Sequence, residues 1–281
     1  MKNVSDTLEV SRSQQYLRKN GVGAKRSRHN PKAGDAVDLP LIRQVIDRRP
    51  TYGYRRVTAI VNRLRRRENS PVINHKRMYR IMKAHGLLLA RYTGRAQWSH
   101  EGTVMTDQSN QRWCSDGFEV GCDNGQKVRV AFSLDCCDRE VMSYVATTGG
   151  ISGDMVGDLM IEAIECRFGS VDNVPGLIEW LSDNGSPYTA TDTKLMAHDL
   201  GLHACTTPYR SPESNGMAEA FVKTFKRDYV KVHAIPDAIA LMEQLPAWFE
   251  DYNENHPHKA LKMRSPREFR RLSCKLEACP V

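Results

Sequence analysis

Between residues 38 and 90, apolar side chains recur every three or four positions in three short stretches that are separated by helix breakers. This spacing predicts three short helices, each with one apolar face. Asp38 and Asn74 are suited to cap the first and the third helix, and Pro50 and Pro71 interrupt the pattern between them. Three helices with such breaks fit a small helix-turn-helix bundle.

From residue 112 onward the pattern changes to apolar runs typical of strands. Only short turns separate the first three runs, which predicts an antiparallel meander. Helical stretches then alternate with two further strands, so that the order is β-β-β-α-β-α-β-α. This order predicts an α/β fold in which a mixed five-stranded sheet is flanked by helices. The strands are expected at 112–120, 128–134, 141–147, 176–181 and 203–206.

A polar stretch with several glycines and a proline precedes the first patterned region, and a second polar stretch that lacks apolar runs joins it to the next, so that the chain divides into five segments. The expected segments are a basic, flexible N-terminal segment over 1–37 that could be a partial helix-turn-helix, a helix-turn-helix domain over 38–90, a linker over 91–111, an α/β core over 112–235 and a helical extension over 236–281.

Charge is distributed unevenly along the chain, although the net charge is only +8. Residues 1–100 hold 23 Lys and Arg against 6 Asp and Glu, whereas the remaining residues hold 18 against 27. A basic front on an acidic body favours a phosphate-binding arm joined to a different kind of domain. The third predicted helix carries cations away from its apolar face, as a helix in a major groove requires. The alternative is an ordinary bundle with a solvated exterior. These cations are Lys76, Arg77, Arg80 and Lys83.

Composition excludes several classes of protein. The chain of 281 residues has 40% apolar and 26% charged residues, which is typical of a globular protein rather than a disordered one. No run of about 18 apolar residues predicts a membrane span, and residues 1–6 lack an apolar signal core, so we expect a cytoplasmic protein. The eight cysteines form no Cys-x-x-Cys pair, which makes a zinc knuckle improbable.

Three carboxylates have positions that favour a functional site. Asp116 lies within the first predicted strand, Asp183 directly follows the fourth, and Glu219 is on the helix that opens after Gly216. On that helix Glu219 shares a stripe with Lys223 and Lys226, about 110° from the centre of the apolar face. An acid beside two lysines suggests a cation site next to phosphate-binding groups. The alternatives are a surface salt bridge from Glu219 to Lys223, and an ordinary turn at Asp183.

Asp183 and Glu219 are separated by 35 residues, and with Asp116 they form a D-D-35-E arrangement, followed by Lys226 seven positions beyond the Glu. The segment 211–228 (SPESNGMAEAFVKTFKRD) resembles the third-carboxylate helix of bacterial insertion-sequence transposases similar to retroviral integrases. Residues 252–261 (YNENHPHKAL) and 264–269 (RSPREF) resemble the C-terminal block of that family, and 50–56 (PTYGYRR) with 74–77 (NHKR) resemble its helix-turn-helix block. The closest likeness is to second-frame (OrfB-type) transposases.

This resemblance implies a ribonuclease-H-like catalytic core that binds two Mg²⁺ ions, for which Mn²⁺ is expected to substitute. Asp116, Asp183 and Glu219 would be the catalytic and metal-binding residues, and the activity would be strand cleavage at element ends followed by strand transfer. Double-stranded DNA, as terminal repeats and as target, is the expected partner, and a dimer or larger homo-oligomer is expected on it. The start of the chain resembles part of a further helix-turn-helix unit, which leaves open a first-frame protein as partner or fusion. The residues expected to contact DNA are Lys223, Lys226, Arg227, Arg55, Arg56, Lys76, Arg77, Arg80 and Lys83.

Two other functions stay open at this point. A non-catalytic DNA-binding regulator would use only the helix-turn-helix domain, and a simple nuclease of the ribonuclease-H type would cut without joining. Recombination through a covalent Ser or Tyr intermediate is disfavoured, because Tyr229 and Tyr252 lack an ordered Arg-His-Arg set and the nearby serines lack a nucleophile context.

Overall fold

A computed structural model describes residues 34–90, 106–206 and 216–277, with side chains up to 273. The predicted partial module before residue 34 and most of the predicted linker lie outside these ranges. In chain order, the elements are α1 (Asp35–Arg48), α2 (Tyr54–Arg67), α3 (His75–Ala84), β1 (Arg112–Gly121), β2 (Lys127–Asp135), β3 (Val141–Thr147), α4 (Gly153–Phe168), β4 (Ile178–Ser182), α5 (Ser186–Thr189), α6 (Thr191–Asp199), β5 (Leu202–Thr206), α7 (Gly216–Asp228), α8 (Ala238–Asn255) and α9 (Pro266–Glu277).

The first three helices form the expected small bundle around their apolar faces. Asn74 caps α3 as predicted, since its side chain accepts a hydrogen bond from the backbone N–H of Lys76 at 2.9 Å. Helix α1 differs, because it begins at Asp35 instead of starting beyond Asp38. Both carboxylates lie in its first turn, where the helix dipole favours negative charge and where Arg77 binds them across the bundle. The fully buried side chains are Ile42, Val57, Val61, Met78 and Met82.

The five predicted strands are all present, and their ends differ from the prediction by two residues at most. They form one sheet in the order β3-β2-β1-β4-β5, so that β1 is central. The first three strands are an antiparallel meander, whereas β4 pairs parallel to both β1 and β5. The predicted mixed five-stranded sheet is therefore confirmed.

Helices cover both faces of the sheet, and the alternation of side chains along β1 assigns each position to a face. Cys114 and Phe118 point into a core formed with α7 and α8. Trp113, one residue earlier, points into the opposite core with α4 and α6. The strand therefore presents its even-numbered residues to α7.

Polar contacts join the bundle to the far end of α7 and to α8. The hydroxyl of Thr51 donates to Asp228 at 2.7 Å, and the guanidinium of Arg56 donates to the same carboxylate at 3.1 Å. A 2.8 Å hydrogen bond joins the Tyr52 hydroxyl to Nδ1 of His256. These contacts link the 50–56 motif to Asp228 of α7 and to His256 of the 252–261 motif, which are distant in sequence and adjacent in the structure.

Candidate active site

The parallel register between β1 and β4 places the two aspartates at the same level of the sheet. Cys114 is paired with Leu181, so two residues further along Asp116 is level with Asp183, which directly follows β4. Because side chains alternate along a strand, Asp116 shares the face of Cys114 and Phe118, which α7 covers. Ligands in open α/β sheets bind beyond the carboxyl ends of parallel strands, and β4 ends here.

Glu219 lies in the first turn of α7, the helix packed on that same face. Its carboxylate is exposed and forms an ion pair with Lys223 at 3.5 Å, one helical turn on. Further along the stripe, the ammonium of Lys226 lies over the ring of Phe118, 5.7 Å from its centre. The helix therefore runs along β1 with its acid and its lysines on the edge beside Asp116.

The three carboxylates influence one another electrostatically. The pKa of Asp116 is raised to about 6, mainly by burial and also by the negative charges of Asp183 and Glu219, while the hydrogen bond from the Gly117 N–H opposes the shift. A carboxylate that is hard to ionise next to two others is a common property of catalytic sites.

In the part of the chain that the structure describes, no three His, Cys, Asp or Glu side chains are already arranged to hold a metal ion. Each member of the triad has another partner. Asp116 accepts a hydrogen bond from the N–H of Gly117 at 2.7 Å, Asp183 accepts one from the N–H of Gly185 at 2.9 Å, and Glu219 is paired with Lys223. The donors fit Mg²⁺, a hard cation that prefers carboxylate oxygens, and a cation would relieve the repulsion at Asp116.

Small and buried groups support the site from beneath. A β-carbon added at Gly185 would lie 2.9 Å from Oδ1 of Asp183, so only glycine leaves room for the carboxylate in this position. On the other face of β1, the hydroxyl of Ser115 is hydrogen-bonded to the hydroxyl of Tyr188 at 2.9 Å. Burial raises the pKa of Tyr188 above its ordinary value, and so do the charges of Asp116 and Asp183, which keeps this phenol neutral.

The cations predicted on α3 have two different environments. Arg77 and Arg80 both form ion pairs with Asp35, at 2.9 and 2.6 Å, and Arg77 also pairs with Asp38. Lys76 and Lys83 are exposed. The helix thus presents two solvated ammonium groups beside two guanidinium groups that are already neutralised in part.

The remaining predicted DNA contacts also divide. Arg55 is exposed and borders a groove of about 590 Å³ between α2 and α9. Arg56 and Arg227 instead converge on the buried carboxylate of Asp228, at 3.1 and 2.6 Å. These two arginines therefore lie close to each other and apart from the stripe of Glu219.

Sequence reasoning missed Asp228, which is 5% exposed and holds the interface with the bundle. A signal was available, because Asp228 follows Phe221 by seven residues and Phe225 by three, and therefore lies on the apolar face of α7. An acid on a core face needs a charged or hydrogen-bonding partner. Here Thr51 and Arg56 supply it from the bundle.

Family models match both parts of this architecture. Residues 106–212 and 201–266 each match an integrase core domain family, and residues 33–96 match an HTH-like domain. A simian T-cell lymphotropic virus intasome in complex with a PP2A regulatory subunit has 14% identity, covers 74% of this chain and 73% of its own, and has a TM-score of 0.49. The sheet order and the family matches define the class as integrase-type polynucleotidyl transferases with a ribonuclease-H-like core.

Within this class the similarity to insertion-element proteins is extensive. The transposase InsD for insertion element IS2A/D/F/H/I/K of Escherichia coli is 49% identical over 275 residues, which cover 95% of this chain and 90% of the relative. The transposase InsD for insertion element IS2-9 of Escherichia coli strain K12 has the same identity and is covered over 88% of its length. The chain belongs to this family of insertion-element transposases. No helix in the described ranges has the length and apolarity needed to cross a membrane.

Proposed function

We propose that this transposase cuts the ends of its element and joins them to target DNA by Mg²⁺-dependent phosphoryl transfer at Asp116, Asp183 and Glu219. The observation that carries the proposal is the alignment of Asp116 with Asp183 on the sheet face covered by the helix of Glu219. The raised pKa of Asp116 supports it, because the group has the crowded environment of a metal-binding carboxylate.

When bound, two Mg²⁺ ions would activate the attacking oxygen and stabilise the departing 3′-oxygen. Asp116 and Asp183 would hold both ions from the sheet, and Glu219 would hold the second from α7. Lys223, released from Glu219, and Lys226 would bind the phosphates that flank the scissile bond. Mn²⁺ has the same preference for oxygen ligands and is expected to substitute.

DNA would be bound by the bundle and would require more than one copy of the chain. The exposed Arg55, Lys76 and Lys83 are the cations of the bundle best placed for phosphate or base contacts. Arg77 and Arg80 would contact bases by giving up their ion pairs with Asp35 and binding guanine instead. Arg56 and Arg227 would contact DNA while they remain bound to Asp228. Two ends must be joined together, so we propose a dimer or larger assembly at the bacterial nucleoid. A first-frame protein remains a candidate partner or fusion.

The test is a strand-transfer assay with labelled duplexes that carry the element ends and with a target plasmid. Mg²⁺ is supplied at about 5 mM so that even a weak site is saturated. Asp183→Asn and Glu219→Gln should each lower cleavage and joining by at least about 100-fold, since each removes a metal ligand. Asp154→Asn, an exposed acid on α4 on the opposite side of the sheet, is the matched control. Equal activity of Asp183→Asn and the control would refute the proposal.

The regulator alternative makes a different prediction. It requires tight, specific binding to the ends with no product in Mg²⁺, even when both ends and target are supplied. The aligned aspartates give no reason for that outcome, because a regulator does not need them. A nuclease would cut the ends in the same assay and join none of them.

A further inference from the structure

A cavity of about 480 Å³ lies where the bundle, the β2–β3 turn, α7 and the loop after α8 meet. It is separate from the carboxylate triad, since α7 lines it with Met217, Ala220 and Thr224, on the opposite side of the helix from Glu219. Its charged lining consists of Arg56, Arg139 and Lys259, and no Asp or Glu is among its lining residues.

Two of these cations have no counter-charge. Neither Arg139 nor Lys259 forms an ion pair with any residue in the described ranges, and Nε of Arg139 is buried without a hydrogen-bond partner. A buried donor without a partner costs stability, which a bound acceptor would recover. His258 borders the same cavity, and burial together with the charges of Arg139 and Arg56 lowers its pKa to about 3. The local potential is therefore positive around a neutral imidazole.

The backbone at Arg139 gives an independent indication of function. Arg139 has φ 64°, in the left-handed region that favours Gly and Asn. The turn itself is fixed by other residues, because Asp135 accepts hydrogen bonds from the N–H groups of Cys137 and Asp138, and Asp138 accepts one from that of Glu140. These hydrogen bonds are independent of the side chain at position 139, so the arginine carries the conformational cost of its positive φ without contributing to the turn.

We propose that this cavity binds a backbone phosphate of DNA, held by Arg139 and Lys259 with Arg56 of the bundle at its rim. The source of the phosphate rests on the proposed function, whereas the anion site does not. The cavity and the carboxylate stripe flank the same helix, whose diameter is about 10 Å. A duplex lying across α7 can therefore engage both, which would fix its position relative to the cleavage site.

The test measures binding of the full-length protein to a fluorescent duplex of about 30 base pairs at about 0.05 to 0.3 M KCl, in the presence of a chelator. The duplex length and the salt range suit a protein that makes ~10 phosphate contacts. Arg139→Gly should reduce the slope of log K against log salt by about 0.9 and weaken binding about eightfold at 0.1 M salt, as the loss of one phosphate contact predicts. Its thermal midpoint should not fall, because glycine relieves the positive φ. Lys231→Gln, an exposed lysine outside the cavity, should leave the slope unchanged.

A second pair of variants leaves the cations that line the cavity unchanged. Ala260→Glu puts an acid at the cavity, and Ala247→Glu puts the same charge on the exposed face of α8. The first should weaken DNA binding several-fold more than the second. Equal slopes for Arg139→Gly and the wild type, or equal effects of the two glutamates, would overturn the proposed DNA contact.

A separate measurement distinguishes binding of free phosphate from binding of DNA. If inorganic phosphate raises the thermal midpoint of the wild type but not of Arg139→Gly, while DNA slopes are equal, the anion site stands and DNA is rejected as its source. The strand-transfer assay is scored independently. A wild type that binds DNA with the expected slope difference but makes no product refutes the proposed function and leaves the cavity assignment intact.

Discussion

Replacing Asp116 by Asn should make the transposase more stable at neutral pH while it abolishes activity. The folded-state pKa of Asp116 lies near 6, above the ordinary 3.8, because the carboxylate is partly buried beside Asp183 and Glu219. A carboxyl group whose pKa is higher in the folded state stabilises the fold at pH values below its pKa in the unfolded chain. This stabilisation is lost as the pH rises through 6. Asn keeps the shape and accepts the Gly117 hydrogen bond, but it carries no charge to repel.

The size of the gain follows from the shift. A rise in pKa from 3.8 to about 6 corresponds to at most about 3 kcal/mol of folding free energy. The side chain is partly exposed, and solvent screens its interactions, so about 1–2 kcal/mol is a realistic gain at pH 8. The measurement is urea unfolding of both proteins in chelator at pH 8 and pH 4. At pH 4 the carboxyl is protonated in the folded state and only partly ionised in the unfolded chain, so the difference should shrink to a small fraction of its value at pH 8.

Two comparisons give this experiment its controls. Glu119→Gln removes a carboxylate on the same strand that is paired with Lys127 at 2.8 Å, and it should give no gain at pH 8. Adding Mg²⁺ should raise the stability of the wild type and leave Asp116→Asn nearly unchanged, because a ligand stabilises only the state that binds it. A loss of stability in Asp116→Asn at pH 8, or a gain that is the same at both pH values, would refute the argument that the three charges crowd one another.

Other substitutions probe the support of the site and the fold. Gly185→Ala should displace the Asp183 carboxylate and lower strand transfer about tenfold or more in the assay above, with a change in unfolding free energy below about 1 kcal/mol. Asp228→Asn should cost about 1–3 kcal/mol in urea unfolding, because Arg56 and its other partners lose a buried counter-charge, although they are partly exposed. Arg167→Met should cost about 3–5 kcal/mol in the same measurement, since it leaves three buried acids without their central cation.

The strands, the bundle and the positions of the triad on its elements could be predicted from the sequence because each leaves a local trace. Periods of 2 and 3.6 locate strands and helices, and register then aligns Asp116 with Asp183. Contacts between distant segments leave no such trace. Arg56 and Asp228 are 172 positions apart, so the sequence predicts only a DNA contact for this basic motif and does not reveal its acidic partner.

The same limit applies to the charged core under the β2–β3 turn. Asp135 and Asp138 are fully buried around Arg167 of α4, and Glu140 is shared with Arg267 of α9. In the sequence these acids look like ordinary turn residues. Only the fold shows that α4 and α9 both hold the turn, which is why it can keep Arg139 in a left-handed conformation.

Helix α7 connects the two functional regions. It carries Glu219 in its first turn and Asp228 at its last residue, nine positions and about 14 Å further along. Asp228 is held by Thr51 and Arg56 of the bundle, so the bundle and Glu219 are fixed to the two ends of one helix. If the proposed roles hold, the distance along DNA between the bases read by α3 and the phosphate cut at Asp116 is set by this helix. Inserting residues within 91–105 should therefore leave the cleavage position unchanged.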